Sequence, residues 1–168
     1  LYDFMVKSEE AGATHHLAVA QALTAYQLAL VADTWGSVPF SKAFGKEETL
    51  TVPFDSEEDL YKAQVDLINK ALENFKKTDA TQELSEKDDL LCGGDLDKWI
   101  KLTNGLKARV LNKISKKAAY NPKQVLAAAQ ASIESNAEDV GMSTFDGVNP
   151  WASISISNLL NNLDGWLG

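Results

Sequence analysis

The sequence is short of several things. It has one cysteine, Cys92, in 168 residues, so no internal disulfide forms within it, and it has no CxxC pair or Cys/His framework. Positive charge is scarce: 16 Lys and Arg face 24 Asp and Glu, giving a formal charge of −8 and a pI near 4.7. Nucleic-acid backbones are held by clustered lysine and arginine, so no nucleic-acid partner is expected. Only two histidines occur, His15 and His16. As helix neighbours they point about 100° apart and lack the i, i+4 spacing of a zinc-binding helix. The acids Asp88, Asp89, Asp95 and Asp97 fit no EF-hand spacing, so no metal is expected. Neither GxSxG, nor a P-loop, nor GxGxxG is present, and no nucleophile stands beside a base. The acids offer no distinguishable glycosidase pair. The expectation is a non-catalytic protein without a cofactor.

Long apolar runs are also missing. Residues 11–32 carry no charge if the histidines are neutral, and as a helix they would span about 33 Å. His15, His16, Gln21, Thr24 and Gln27 interrupt them, and alanine outnumbers leucine. Such a stretch reads as a central helix covered by other helices, not as a membrane span. No initiator methionine or leader is present either. The chain opens at Leu1 and reads as a piece of a longer protein, with any targeting signal outside it.

What is present is 45% hydrophobic content with four Trp, four Tyr and six Phe, enough for a real core. The patterning predicts one domain over 1–168 with helices at 8–36, 55–78, 96–119 and 122–136, and mostly loop over 137–168. The first helix would be capped near Ser8 and stopped at Gly36. The second opens at Asp55, with Glu58 three residues on as in a capping box, and carries Tyr61, Val65, Ile68, Leu72 and Phe75 at steps of three and four. Residues 78–89 read as a charged surface loop, and Gly93-Gly94 as a sharp turn. The third helix opens at Asp95 or Asp97 with a stripe of Trp99, Leu102, Leu106, Val110 and Ile114. Gly105 inside it costs roughly 1 kcal/mol against alanine and marks the close approach of a neighbour. The fourth opens with Asn121 as cap and Pro122 at its first position. The fold class predicted is all-α: stacked antiparallel helical hairpins, irregular tetratricopeptide-like repeats, with a loop-rich C-terminal segment. Ala71-Leu72-Glu73-Asn74-Phe75 fits the Ala-x3-Phe element of such a repeat, although no strict period recurs.

The tryptophans divide into two groups. Trp99 lies on a core stripe. Trp35, in Asp33-Thr34-Trp35-Gly36-Ser37-Val38-Pro39-Phe40, either staples the helix exit or lines a half-open site. Trp151 and Trp166 lie outside any stripe, among amides and glycines. An aromatic face beside Asn149 has the chemistry to stack on a sugar's C–H face and hydrogen-bond its hydroxyls. Asn149, Trp151 and Trp166 are therefore the glycan-binding candidates.

Four segments, in order, resemble one known family. Asp33-Thr34-Trp35-Gly36-Ser37-Val38-Pro39-Phe40-Ser41-Lys42-Ala43 resembles the "D-x-W-G-D-V-P-Y-x-x-A" signature of SusD/RagB-like proteins. Phe54-Asp55-Ser56 with Leu60-Tyr61 resembles its "Y-D-S…I-Y" helix start. Gly93-Gly94-Asp95-Leu96-Asp97-Lys98-Trp99 resembles "G-G-D…K-W", and Asn104-Gly105-Leu106-Lys107-Ala108-Arg109 resembles "N-S-L-K-x-R". Ser37 stands where the family has an acid, and Gly105 where a serine is common. The resemblance implies an outer-membrane, surface-exposed, nutrient-binding lipoprotein of Bacteroidetes that captures oligosaccharide for polysaccharide utilisation. It implies a SusC-like TonB-dependent transporter as partner, and membrane contact only through a lipid anchor absent from this chain. Asp33, Trp35, Gly36, Pro39, Trp99, Asn104 and Arg109 are then structural signature residues, with Lys107 and Arg109 placed to pair with carboxylates and Asn104 to cap a backbone gap. The alternative is a helical-repeat interaction scaffold that docks a partner without capturing a ligand.

Overall fold

The computed structural model describes residues 1–44, 51–78 and 81–142, together with Phe145 and Gly147. Among these residues the protein is all-α. Its elements are α1 (Tyr2–Glu10), α2 (Thr14–Trp35), α3 (Glu57–Phe75), α4 (Leu96–Asn112) and α5 (Pro122–Gln130), then a 3-10 turn at Asn136–Glu138. A lone antiparallel bridge joins Val38 to Asp55.

The helix expected over 8–36 is two helices. Gly12 sits at φ +67°, and the amides of Ala11, Gly12 and Ala13 bond back to Lys7, Glu9 and Ser8 carbonyls, which ends α1 before α2 begins. Ser8 is thus no cap; it is buried inside α1. α2 stops where expected, at Gly36, whose φ of +74° turns the chain out of the helix. The consecutive buried residues Ala18, Val19, Ala20, Gln21 and Ala22 cover every side of it, and Ala25, Leu28 and Ala29 extend one buried face toward its end. The small side chains let α3 pack closely against it, and α1 and α4 cover further faces. Among the described residues, no helix is long and apolar enough to cross a membrane.

α3 begins two residues later than predicted. Ser56, not Asp55, is its cap: the Asp59 amide donates to Ser56 Oγ at 3.2 Å, and Ser56 Oγ donates to Asp59 Oδ2 at 2.6 Å. Asp55 is drawn elsewhere by the chain after α2. The buried line of α3 is Leu60, Gln64, Ile68, Ala71 and Phe75, with Tyr61, Val65 and Leu72 at its margin. The helix ends at Phe75, short of the expected 78.

α4 is capped by Asp95, which accepts from the amides of Asp97 (2.9 Å) and Lys98 (3.1 Å). It ends at Asn112 instead of 119, passing into turns closed by the amides of Ser115, Lys117 and Tyr120. The run Lys116-Lys117-Ala118-Ala119 is exposed, so it has no apolar face to bury that would prolong the helix. α5 starts as predicted, with Asn121 accepting from the Lys123 and Gln124 amides at 3.1 and 3.4 Å. It stops at Gln130, not 136. A Cβ added to Gly105 would meet Ser132 Oγ at 2.6 Å, so the close neighbour is the chain just past α5.

Two apolar clusters form the core. One joins Ala18, Val19 and Ala22 to Ala71, Phe75, Cys92 and Trp99, and the other joins Ala25 and Ala29 to Ile68 and Val110. Phe75 and Trp99 stack with centroids 6.0 Å apart. Burial, reinforced by Asp89, pushes the Cys92 thiol up to about 12, so it serves as a small packed side chain and not as a nucleophile. Polar ties cross the same layer. Asn74 Nδ2 donates to Gln21 Oε1 at 2.9 Å, and His15 Nε2 donates to the Lys77 carbonyl at 2.7 Å.

Candidate functional site

Two of the signature segments, residues 33–43 and 54–61, meet at the end of the stack where α2 leaves and α3 begins. Lys113, just past α4, reaches Asp33 Oδ1 at 2.7 Å and the Ala29 carbonyl at 3.5 Å, clipping the end of α2 to α4. Beyond Gly36 the chain is held by Asp55. Its Oδ2 accepts from the amides of Phe40 (2.7 Å) and Ser41 (2.8 Å), and its Oδ1 accepts from the Ser41 hydroxyl. The Ser41 hydroxyl does most to hold the Asp55 carboxyl below its usual range; burial opposes it, and the backbone amides of Ser41, Phe40 and Asp55 itself add to the lowering. Phe40 and Phe44 meet edge to face, and Phe44 stacks on Tyr2 of α1 at 5.3 Å. This strap, with α1, α2 and α3, encloses an apolar cleft of about 690 Å³ bordered by Pro39, Leu28 and Leu67.

Trp35 does not staple the exit. Its ring is 70% exposed, and Phe54, across the Val38–Asp55 bridge, is 69% exposed. Two large aromatic side chains therefore stand in solvent at one end of the stack. Trp35→Ala is expected to change unfolding free energy by no more than about 0.5 kcal/mol, as for other surface sites, measured by urea denaturation.

At the other end, Asp89 is a hub. Its Oδ1 accepts from the amides of Leu91 (3.1 Å) and Cys92 (3.0 Å), and its Oδ2 from the Gly94 amide (3.0 Å) and Trp99 Nε1 (2.6 Å). Burial works to raise its pKa, yet the four donors outweigh it and hold the carboxyl below the ordinary range. The sequence pattern places Asp89 in a charged surface loop, whereas in the fold it is only 7% exposed. The acidic group around it is committed to the fold, Asp88 accepting from Ser85 and Asp95 capping α4. Among the described residues, no three His, Cys, Asp or Glu side chains are gathered so as to hold a metal ion. His16 meets Phe4 edge-on, with Nδ1 unpartnered.

The remaining sequence candidates separate. Trp99 is buried, as its stripe predicted. Asn104 bonds its own helix, Nδ2 donating to the Ile100 carbonyl at 2.9 Å, and closes no backbone gap. Lys62, Lys70, Lys101 and Lys113 form ion pairs, whereas Lys107 and Arg109 form none among the described residues. Asn149, Trp151 and Trp166 lie outside the described residues.

An all-α stack of helical hairpins, with polar clips at both ends and apolar clefts along its sides, defines a scaffold class. The chain belongs to the SusD-like family: residues 2–163 match the family model described as "Starch-binding associating with outer membrane". Solved structures agree. A SusD/RagB family protein from Bacteroides thetaiotaomicron VPI-5482 is 25% identical with a TM-score of 0.76, over 92% of this chain and 34% of that one. A SusD homolog from Bacteroides uniformis ATCC 8492 is 22% identical with a TM-score of 0.75, over 98% and 34%. A chitin-binding SusD homolog from Flavobacterium johnsoniae is 24% identical with a TM-score of 0.70, over 85% and 31%. The chain spans about a third of the length of these proteins. No curated protein matches it.

Proposed function

We propose that this chain is the helical part of a surface-exposed, non-catalytic lipoprotein that captures oligosaccharide and passes it to a SusC-like TonB-dependent transporter. The observation that carries this reading is the family match over residues 2–163, in a family described as starch-binding and associated with the outer membrane. The chitin-binding relative points to the same ligand class. Capture without bond cleavage asks for a stiff frame that holds aromatic faces and amides in fixed places, which closely packed helices supply. Asn149, Trp151 and Trp166 are the proposed sugar contacts. In the full-length protein, titrated with malto- and chito-oligosaccharides, Trp151→Ala and Trp166→Ala are each expected to weaken binding about tenfold or more. Unchanged affinity in both variants would remove them from the site.

A docking scaffold without ligand capture is the second reading, and the apolar cleft beside the strap favours it. Retention of a large β-barrel partner, with no calorimetric heat from any oligosaccharide, is the result that would select it.

A further inference from the structure

A groove of about 350 Å³ runs between α3, α4 and α5. Its lining differs from that of the apolar cleft beside the strap. Asn69 comes from α3, Asn104 and Lys107 from α4, and Gln124 from the first turn of α5, over an apolar floor that includes Val65 and Leu111. Among the described residues no carboxylate lines it, in a chain whose formal charge is −8. We infer that this groove is a ligand site for a sugar residue carrying a carboxylate, a uronic acid within an oligosaccharide.

The unused hydrogen-bonding groups select that chemistry. Lys62, Lys70 and Lys113 each have a carboxylate oxygen within 2.8 Å, but Lys107 has none among the described residues and borders the groove only partly exposed. The side-chain amides of Asn69 and Gln124 bond nothing among the described residues. Asn104 spends its amide nitrogen on the Ile100 carbonyl, which leaves its oxygen to accept. Two amides that offer both donors and acceptors, with the Asn104 oxygen as a further acceptor, suit vicinal hydroxyls, and the apolar floor suits a C–H face. A neutral sugar would cover Lys107 without giving it a counter-charge, whereas a carboxylate supplies one through a charge-assisted bond. The positive end of α5, which Gln124 borders, adds in the same direction. A polyanion with dense charge is disfavoured by the acidic chain as a whole.

The inference takes from the proposed function only that the ligand is a sugar; it uses none of Asn149, Trp151 or Trp166. The test is calorimetric titration of the protein with a galacturonic acid trimer and, separately, with a galactose trimer. The acidic trimer should bind at least about tenfold more tightly than the neutral one. Lys107→Gln should erase that preference, and Asn69→Leu should weaken both trimers, while Lys123→Gln, an exposed lysine near the start of α5, should change neither. Helical circular dichroism of each variant establishes that it is folded. Equal affinity for the two trimers, no binding of the acidic one, or an unaltered preference in Lys107→Gln would overturn the inference. Loss of binding in Trp151→Ala and Trp166→Ala but not in Lys107→Gln would overturn it while leaving the general glycan reading intact.

Discussion

Replacing Asp89 with alanine is expected to cost about 3–5 kcal/mol of folding free energy. Charge-assisted bonds each contribute about 1.5–3 kcal/mol, they do not add fully, and their loss leaves buried donors unpaired. The carboxylate serves the amides of Leu91, Cys92 and Gly94 and the Trp99 indole at once. It thereby pins the turn before α4 and fixes the largest core side chain. Asp89→Asn keeps the shape but turns an NH2 group toward two of the four donors, so its loss should approach that of alanine. Urea denaturation of the three proteins at pH 7 measures both differences. The same residue gives a pH signature. Its carboxyl is held low in the folded state, so its stabilisation is fully present above the unfolded value near pH 4 and is lost as pH falls through the lower folded value. Asp55 has a shift of the same sign. Stability of the natural chain should therefore fall below about pH 4, and Asp89→Asn should lose less over the same range.

Gly94→Ala is expected to cost about 2–5 kcal/mol, and a neighbouring glycine supplies its control. Gly94 has φ +78°, and a Cβ there would lie 2.8 Å from the Leu84 carbonyl oxygen and 3.1 Å from its carbon, which is rigid backbone. Left-handed geometry costs a non-glycine residue about 1–2 kcal/mol, and overpacking a further 1–3. Gly93 has φ +66° but nothing within 4 Å of its added Cβ, so Gly93→Ala should lose only the first part. Denaturation of both variants separates strain from collision. Equal losses would show that the Leu84 backbone moves aside.

The parts of this fold legible in the sequence are those fixed by short-range chemistry. The stripes of α3 and α4 were readable because one face of each is apolar and the other charged. The cap at Asn121 is readable because a short polar side chain precedes a proline, and that of α4 is readable to within Asp95 or Asp97, of which the fold uses Asp95. The break between α1 and α2 was hidden because Ala11-Gly12-Ala13 continues the same uncharged composition, and only the positive φ of Gly12 reveals it. At the start of α3, Asp55 and Ser56 are both good caps. The choice fell to Ser56 because Phe40 and Ser41, some fifteen residues upstream, claim the Asp55 carboxylate. Asp89 looked like one acid among many in a charged run, and its partners lie two to ten residues downstream in a turn no periodicity describes.

The site was less legible than the fold. The signature around Trp35 leaves open whether its ring staples the helix exit or lines a half-open site, and only the fold shows the side chain exposed. The groove at Lys107 gave no sequence signal, because its four polar groups come from three different helices that no sequence spacing ties together. Only the packing of α5 on α4 and of α4 on α3 brings them together.

The central claim is that this scaffold holds glycan and breaks no bonds. Calorimetry of the full-length protein against a panel of neutral and acidic oligosaccharides, followed by chromatography of the same samples after long incubation, tests it in one experiment. The account predicts saturable heat from at least one oligosaccharide and the recovery of that oligosaccharide at its original length. Shortened products, or no heat from any member of the panel, would contradict it.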